Sequence, residues 1–239
     1  MSRRRHSIIA PACVGAILCA VAATAGRSGA LHLVMQPPGD AQPAEALVRV
    51  AHLVYGTNKT SQCFATGYLD LLARETEIKV DRQASRVDLA SDDLYQYPFA
   101  VLSGEGSFQF TDEQFLAIRQ YVERGGFILA SAGCSNADWN RSFRDEMKQI
   151  FPDSVLEPLD LSEDMFQSVF RIAQLRTKSH NTEVKLFGLR VNGRLALVYS
   201  PEGLNDTGNA GGGCCCCGGD EIRDAKYINA NILAWVLMH

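Results

Sequence analysis

The segment from Pro98 to Ala130 constrains the fold more than any other part of the chain. Pro98-Phe99-Ala100-Val101-Leu102-Ser103 is a continuous apolar run closed by Gly104-Glu105-Gly106, the pattern of a strand buried on both faces. Thr111-Asp112-Glu113-Gln114 then reads as a capping box, in which the Thr111 hydroxyl accepts from the backbone while Gln114 reaches back. The helix it opens carries Phe115, Leu116, Ile118, Tyr121 and Val122 and stops at Gly125-Gly126. Phe127-Ile128-Leu129-Ala130 resumes as a strand that ends at Gly133-Cys134. A strand, a helix and a second strand in close succession form a crossover unit, and crossovers build parallel sheets.

The flanking segments extend this pattern. Leu47 to Tyr55 alternates as a strand ending at Gly56, and Tyr68 to Glu75 reads as a helix. Ile78-Lys79-Val80 reads as a short second strand, and Asp92-Asp93-Leu94 as the start of a helical turn. A helix is expected from about Asn140 to Ile150, stopped near Pro152. Leu186 to Val191 and Arg194 to Tyr199 flank Asn192-Gly193, the signature of a type I′ hairpin. From Glu221 to Met238 the apolar spacing predicts a helix that packs on the sheet. The expected architecture is a doubly wound α/β domain over residues 47–239. It has a mostly parallel sheet with helices on both faces, a C-terminal β-hairpin and a packing helix. Val48–Tyr55, Phe99–Ser103 and Phe127–Ser131 are expected as neighbouring parallel strands.

Residues 1–25 have the form of a signal peptide. Arg3, Arg4 and Arg5 precede an apolar stretch broken by Pro11, and Ala23-Thr24-Ala25 fits an A-x-A cleavage site. Residues 26–46, rich in Gly, Pro and Ala, read as a flexible spacer. The expectation is an exported protein, periplasmic or extracytoplasmic, with no transmembrane span in the mature chain. The formal net charge is −4, and loss of the three leader arginines leaves the mature chain more acidic still. Such a charge argues against a nucleic-acid partner, whose phosphates need Lys and Arg.

The run Tyr97-Pro98-Phe99, Ser103-Gly104, Phe108, Leu116, Arg119-Gln120-Tyr121-Val122 and Gly125-Gly126-Phe127-Ile128-Leu129-Ala130 resembles a known pattern. Ser142-Phe143-Arg144, Ile150-Phe151-Pro152 and Asn231-Ile232-Leu233-Ala234 continue it. It is similar to the core of a bacterial family, domain of unknown function 4159. The resemblance implies a fold of the class I glutamine-amidotransferase-like or flavodoxin-like type, in members that are often exported or membrane-tethered. It implies no activity. Two positions depart from the family pattern. Gly133-Cys134-Ser135 stands where paired cysteines are frequent, and Asp164-Met165-Phe166 where a His-Pro step is frequent.

Ligands of open α/β sheets bind beyond the carboxyl ends of the strands. Glu105, Cys134 and Glu202 follow strands there, and Cys63 lies in the loop after the first. The leading expectation is a non-enzymatic module of the cell envelope that binds a small ligand or an envelope protein, with Glu105 and Glu202 in the ligand site. A second reading is a thiol-dependent hydrolase or transferase. It makes Cys134 the nucleophile on a strand-to-helix turn, where a helix N-terminus favours a thiolate, and His180 the base. A third is a thiolate metal site. Cys214-Cys215-Cys216-Cys217 lies in a glycine-rich run, and Cys214 and Cys217 have C-x-x-C spacing, with Cys134 and Cys63 to complete the set. Soft sulfur ligands favour zinc or copper(I), although a loop of disulfides or solvated thiols with no cofactor is the plainer expectation. Phe108, Phe110 and Trp139 are aromatic candidates for a binding surface and equally for the core.

Overall fold

The computed structural model describes residues 47–56, 63–210 and 220–239. The signal peptide, the spacer and the four-cysteine run with Cys214 and Cys217 lie outside them. The described residues form a seven-stranded sheet: β1 (Val50–Val54), β2 (Ser85–Asp88), β3 (Phe99–Gly104), β4 (Phe127–Ala132), β5 (Leu156–Pro158), β6 (Phe187–Val191) and β7 (Arg194–Ser200). Their order across the sheet is β2-β1-β3-β4-β7-β6-β5. The first five in that order pair parallel, and β6 and β5 complete the edge antiparallel. β1, β3 and β4 are thus parallel neighbours, as the crossover connections between them require.

Among the described residues four α-helices cover the sheet: α1 (Gly67–Glu75), α2 (Asp112–Glu123), α3 (Ala137–Ile150) and α4 (Ala225–Met238). Strand side chains alternate between faces. Val101, Leu129 and Val198 pack with α1 and α4, while Leu102, Ala130 and Leu197 pack with α2 and α3. The capping box is present: Gln114 N–H donates to Thr111 Oγ1, and Thr111 N–H donates to Gln114 Oε1. Asn192 and Gly193 take φ of 52° and 80°, the left-handed pair that a type I′ hairpin turn needs. No helix among the described residues is long and apolar enough to cross a membrane.

Four boundaries differ from expectation. Ile78-Lys79-Val80 supplies only an isolated parallel bridge, Val80 to Val48. The second strand is Ser85–Asp88 instead, in which Val87 is the single buried side chain. A polar edge strand of that kind has no alternation to read. β5 is three residues ending in Pro158, too short for a pattern. α3 begins three residues before Asn140, because Asn136 accepts from the Trp139 N–H and caps the helix. α4 begins at Ala225 because Ile222 is occupied: its N–H donates to Gly203 O, and it bridges Thr177.

Candidate functional site

Parallel strands end together, so the loops after β3, β4 and β7 meet at one edge of the sheet. Glu105 follows β3, Cys134 and Ser135 follow β4, and Glu202 follows β7. The centre is the turn Gly133–Asn136. Cys134 and Ser135 both lie in the left-handed region, with φ of 50° and 53°. Asn136 holds the turn by accepting from Gly106 N–H and Trp139 N–H. A Cβ on Gly133 would stand 2.8 Å from Glu105 Cγ and 2.9 Å from Gly104 O, so only glycine lets the β3 and β4 loops approach this closely.

The Cys134 thiol is free and half-buried, and it faces Glu105 Oε1 at 3.9 Å. The Ser135 hydroxyl is shared between the carbonyls of Glu202, at 3.0 Å, and Asp220. The Asp220 carboxylate accepts from Ser179 N–H at 2.9 Å and pairs with His180 Nδ1 at 2.8 Å. Burial works against charge on Asp220, yet the Ser179 N–H, the Thr177 hydroxyl and His180 more than offset it and hold this carboxyl well below the usual range. Lys178 Nζ bridges Asp206 Oδ1 at 3.1 Å and Glu221 Oε2 at 3.2 Å. Burial lowers the affinity of Lys178 for its proton, but the two carboxylates outweigh that and hold its pKa up.

Glu202 differs from these paired groups. Its Oε2 is buried and has no hydrogen-bond partner. Burial raises its pKa, Asp220 adds to the rise, and a backbone hydrogen bond and Arg144 oppose it. Arg144 Cζ lies 5.0 Å from the ring centroids of both Phe187 and Tyr199. Burial pushes the Tyr199 phenol up to about 12 against the pull of Arg144, so it remains a neutral donor to Asn140 Oδ1.

Beneath the edge lies a row of serines. Ser103 pairs in register with Ser131, and Ser131 with Ser200, all fully buried. Ser131 Oγ donates to Asn205 Oδ1 at 2.6 Å, Asn205 Nδ2 donates to Ser103 Oγ at 2.8 Å, and Leu204 N–H donates to Ser131 Oγ at 2.7 Å. This network fixes the loop that carries Glu202 to the sheet. Its residues lie up to 102 positions apart, which put it beyond sequence reasoning.

Four of the expected site residues therefore share this edge: Glu105, Cys134 and Glu202 around the turn, and His180 beyond Asp220. No hydrogen bond joins His180 to Cys134 among the described residues; the imidazole pairs with Asp220. Asp220, the orienting acid that His180 lacked in the sequence, follows two glycines at a separation of 40 and carries no local signal. Cys63 is disulfide-bonded, so its sulfur is no thiolate ligand in this state. Cys214 and Cys217 lie outside the described residues, and among those described no three His, Cys, Asp or Glu side chains are placed to hold a metal ion. Trp139 is fully buried, Phe108 is 8% exposed, and Phe110 packs on the same cluster, so these aromatics are core. A groove of about 900 Å³ lies between Ser107–Gln109 and the α3 residues Ser142, Asp145, Glu146 and Gln149, and Cys134 is not among its lining residues.

No curated protein matches the chain. A family model described as a domain of unknown function (DUF4159) matches residues 49–237, nearly all of the described structure, and the chain belongs to that family.

Proposed function

We propose that this domain is an exported binding module of the cell envelope, not an enzyme, and that it receives a small ligand or an envelope-protein segment at the carboxyl edge of its sheet. The observation that carries the reading is Glu202 Oε2, buried and without a hydrogen-bond partner beside the Cys134 turn. A buried acceptor left unsatisfied costs stability and calls for an explanation, and a donor brought by a ligand would supply one. The ligand therefore brings an N–H or ammonium group. The surroundings of Cys134 support the non-catalytic reading. Reactive cysteines sit among positive charges, whereas the side chain facing this sulfur is the Glu105 carboxylate.

The test is amide NMR of the purified domain against a panel of amine-bearing small molecules. Saturable shifts should cluster at residues 104–106, 133–136 and 202–203, and Glu202→Gln should remove them. A panel that produces no saturable shift at these positions would overturn the reading.

One observation favours the thiol-dependent hydrolase or transferase as a second reading. The His180–Asp220 pair stands at the same edge, linked to the Cys134 turn through Ser135. A loop movement that swung His180 to the sulfur would assemble a thiol, an imidazole and an orienting carboxylate. Limiting iodoacetamide near neutral pH should then alkylate Cys134 quickly in the native protein and slowly in His180→Ala. Equal rates in the two proteins would remove His180 from any catalytic role.

A further inference from the structure

We infer that a small cavity beside α4 is a site for a phosphate monoester group, formed by the guanidiniums of Arg171, Arg176 and Arg223. It shares no residue with the Glu202 edge and does not rest on the binding role proposed above.

The arginines come from two segments that the backbone ties together. Thr177 bridges Ile222 antiparallel, and Arg223 N–H donates to Arg176 O at 2.8 Å. One residue then braces both side chains. Asn181, in the left-handed region at φ 54°, accepts from Arg176 Nη1 on its carbonyl at 2.8 Å and from Arg223 Nη2 on its Oδ1 at 3.2 Å. Arg176 Nε also donates to Gln174 Oε1 at 2.9 Å. These bonds orient the forks and leave N–H groups to spare on each. Arg171 is exposed, and none of the three arginines forms an ion pair among the described residues. All three line one cavity of about 240 Å³, together with Asp224.

Three guanidiniums against the single Asp224 carboxylate leave this lining net positive, in a chain whose formal net charge is −4. Glu183 pairs with Arg176 in a backbone bridge but does not line the cavity. Guanidinium forks match the oxygens of carboxylates and phosphates. A carboxylate offers only a pair of oxygens to three forks. A phosphate monoester offers three, with a charge of about −1.5 to −2 at neutral pH. The cavity is smaller than the roughly 300–1,000 Å³ of whole-ligand pockets, so it encloses the phosphoryl group and leaves the rest of the ester outside. Forks already braced by Asn181 lose little freedom when they take up that group.

Isothermal titration of the purified protein with glycerol 3-phosphate, inorganic phosphate and acetate, at one ionic strength, tests this. Both phosphates should bind, and acetate should bind more weakly than either. Arg171→Gln and Arg223→Gln should each weaken glycerol 3-phosphate roughly 10- to 100-fold, the usual effect of losing a charged hydrogen-bond partner. Asp224→Asn should strengthen it roughly two- to fivefold, the scale of one exposed charge pair. Amide shifts on binding should fall at residues 171–176 and 222–226 and not at 133–136. Arg171 is exposed and outside every ion pair described, so the melt of Arg171→Gln should match that of the parent and separate lost binding from lost fold. Flotation with phosphatidylcholine vesicles, with and without phosphatidic acid, identifies the source of the phosphate. Capture that needs phosphatidic acid and is lost in Arg171→Gln assigns it to a lipid headgroup. Glycerol 3-phosphate binding without capture assigns it to a soluble ester. Acetate binding as tight as phosphate, binding unchanged in both arginine variants, or no binding to either phosphate or to phosphatidic acid would overturn the site.

Discussion

The two faces of the sheet are built differently. The α1–α4 face is mainly aliphatic, with Leu69, Leu72, Ile228, Ile232 and Leu233 over Val101, Leu129 and Val198. The α2–α3 face carries a run of rings: Tyr55, Phe108, Trp139, Phe143 and Tyr199, with Trp139 stacked on Phe143 at 5.1 Å and Phe143 on Tyr199 at 4.6 Å. Aliphatic side chains fill space without a preferred polar neighbour. Tyr and Trp also carry polar handles that must find partners when buried. Trp139 Nε1 donates to Tyr55 Oη at 2.5 Å, and Tyr199 donates to Asn140. The aromatic face is thereby wired to the carboxyl edge through α3. The aliphatic face reaches that edge through the Ser103–Asn205–Ser131 network and through Asn229 of α4, whose Nδ2 donates to Leu204 O at 2.9 Å.

That contrast can be broken by substitution. Trp139→Ala, which empties a fully buried site, should cost about 3–5 kcal/mol in urea unfolding. It should also move the amide resonances of residues 133–136. Leu233→Ala on the other face should cost about 2–5 kcal/mol and leave those resonances in place. If both variants disturb the turn equally, the faces are not functionally distinct. Asn205→Ala strands two buried serine hydroxyls and should cost about 1–3 kcal/mol, with amide exchange rising across residues 201–206 and not at 133–136. Thr111→Ala removes the α2 cap for about 1 kcal/mol and should leave the edge unchanged.

The smallest effect carries a sign. The folded-state pKa of Glu202 is raised, so the folded protein holds this proton more tightly than the unfolded chain does. The stability tied to Glu202 is fully present below the unfolded value and is lost as pH rises through the folded one. Glu202→Gln should therefore gain up to about 1 kcal/mol at neutral pH and nothing in acid. A gain that persists unchanged at low pH would show that the effect is not the carboxyl charge.

Much of this architecture could be read from the chain. The capping box at Thr111, the Asn192-Gly193 turn and the unbroken apolar runs of β3 and β4 are local signals, and each holds in the structure. Glu105, Cys134 and Glu202 were legible because they follow strands. Ser85–Asp88 was not, since a polar edge strand has nothing to alternate. Neither were Asp220, Asn205 or Arg144, whose roles come from neighbours distant in sequence or from a ring they happen to cover.

Two successive non-glycine residues, Cys134 and Ser135, occupy left-handed backbone conformations. Each costs about 1–2 kcal/mol, and the Asn136 and Ser135 hydrogen bonds offset it. This sets an unusual rule for sequence variation at the turn. Glycine or asparagine at position 134 would ease the backbone and delete the sulfur; a β-branched residue there would be excluded on steric grounds alone. Glycine at 135 would relax the chain and also cut the tie to Glu202 and Asp220. A library randomised at both positions and selected only for folding should drift toward Gly and Asn, whereas one selected for ligand should keep Ser135. The enrichment ratio between the two selections would measure how much of this corner is kept for the proposed binding role rather than for how it folds.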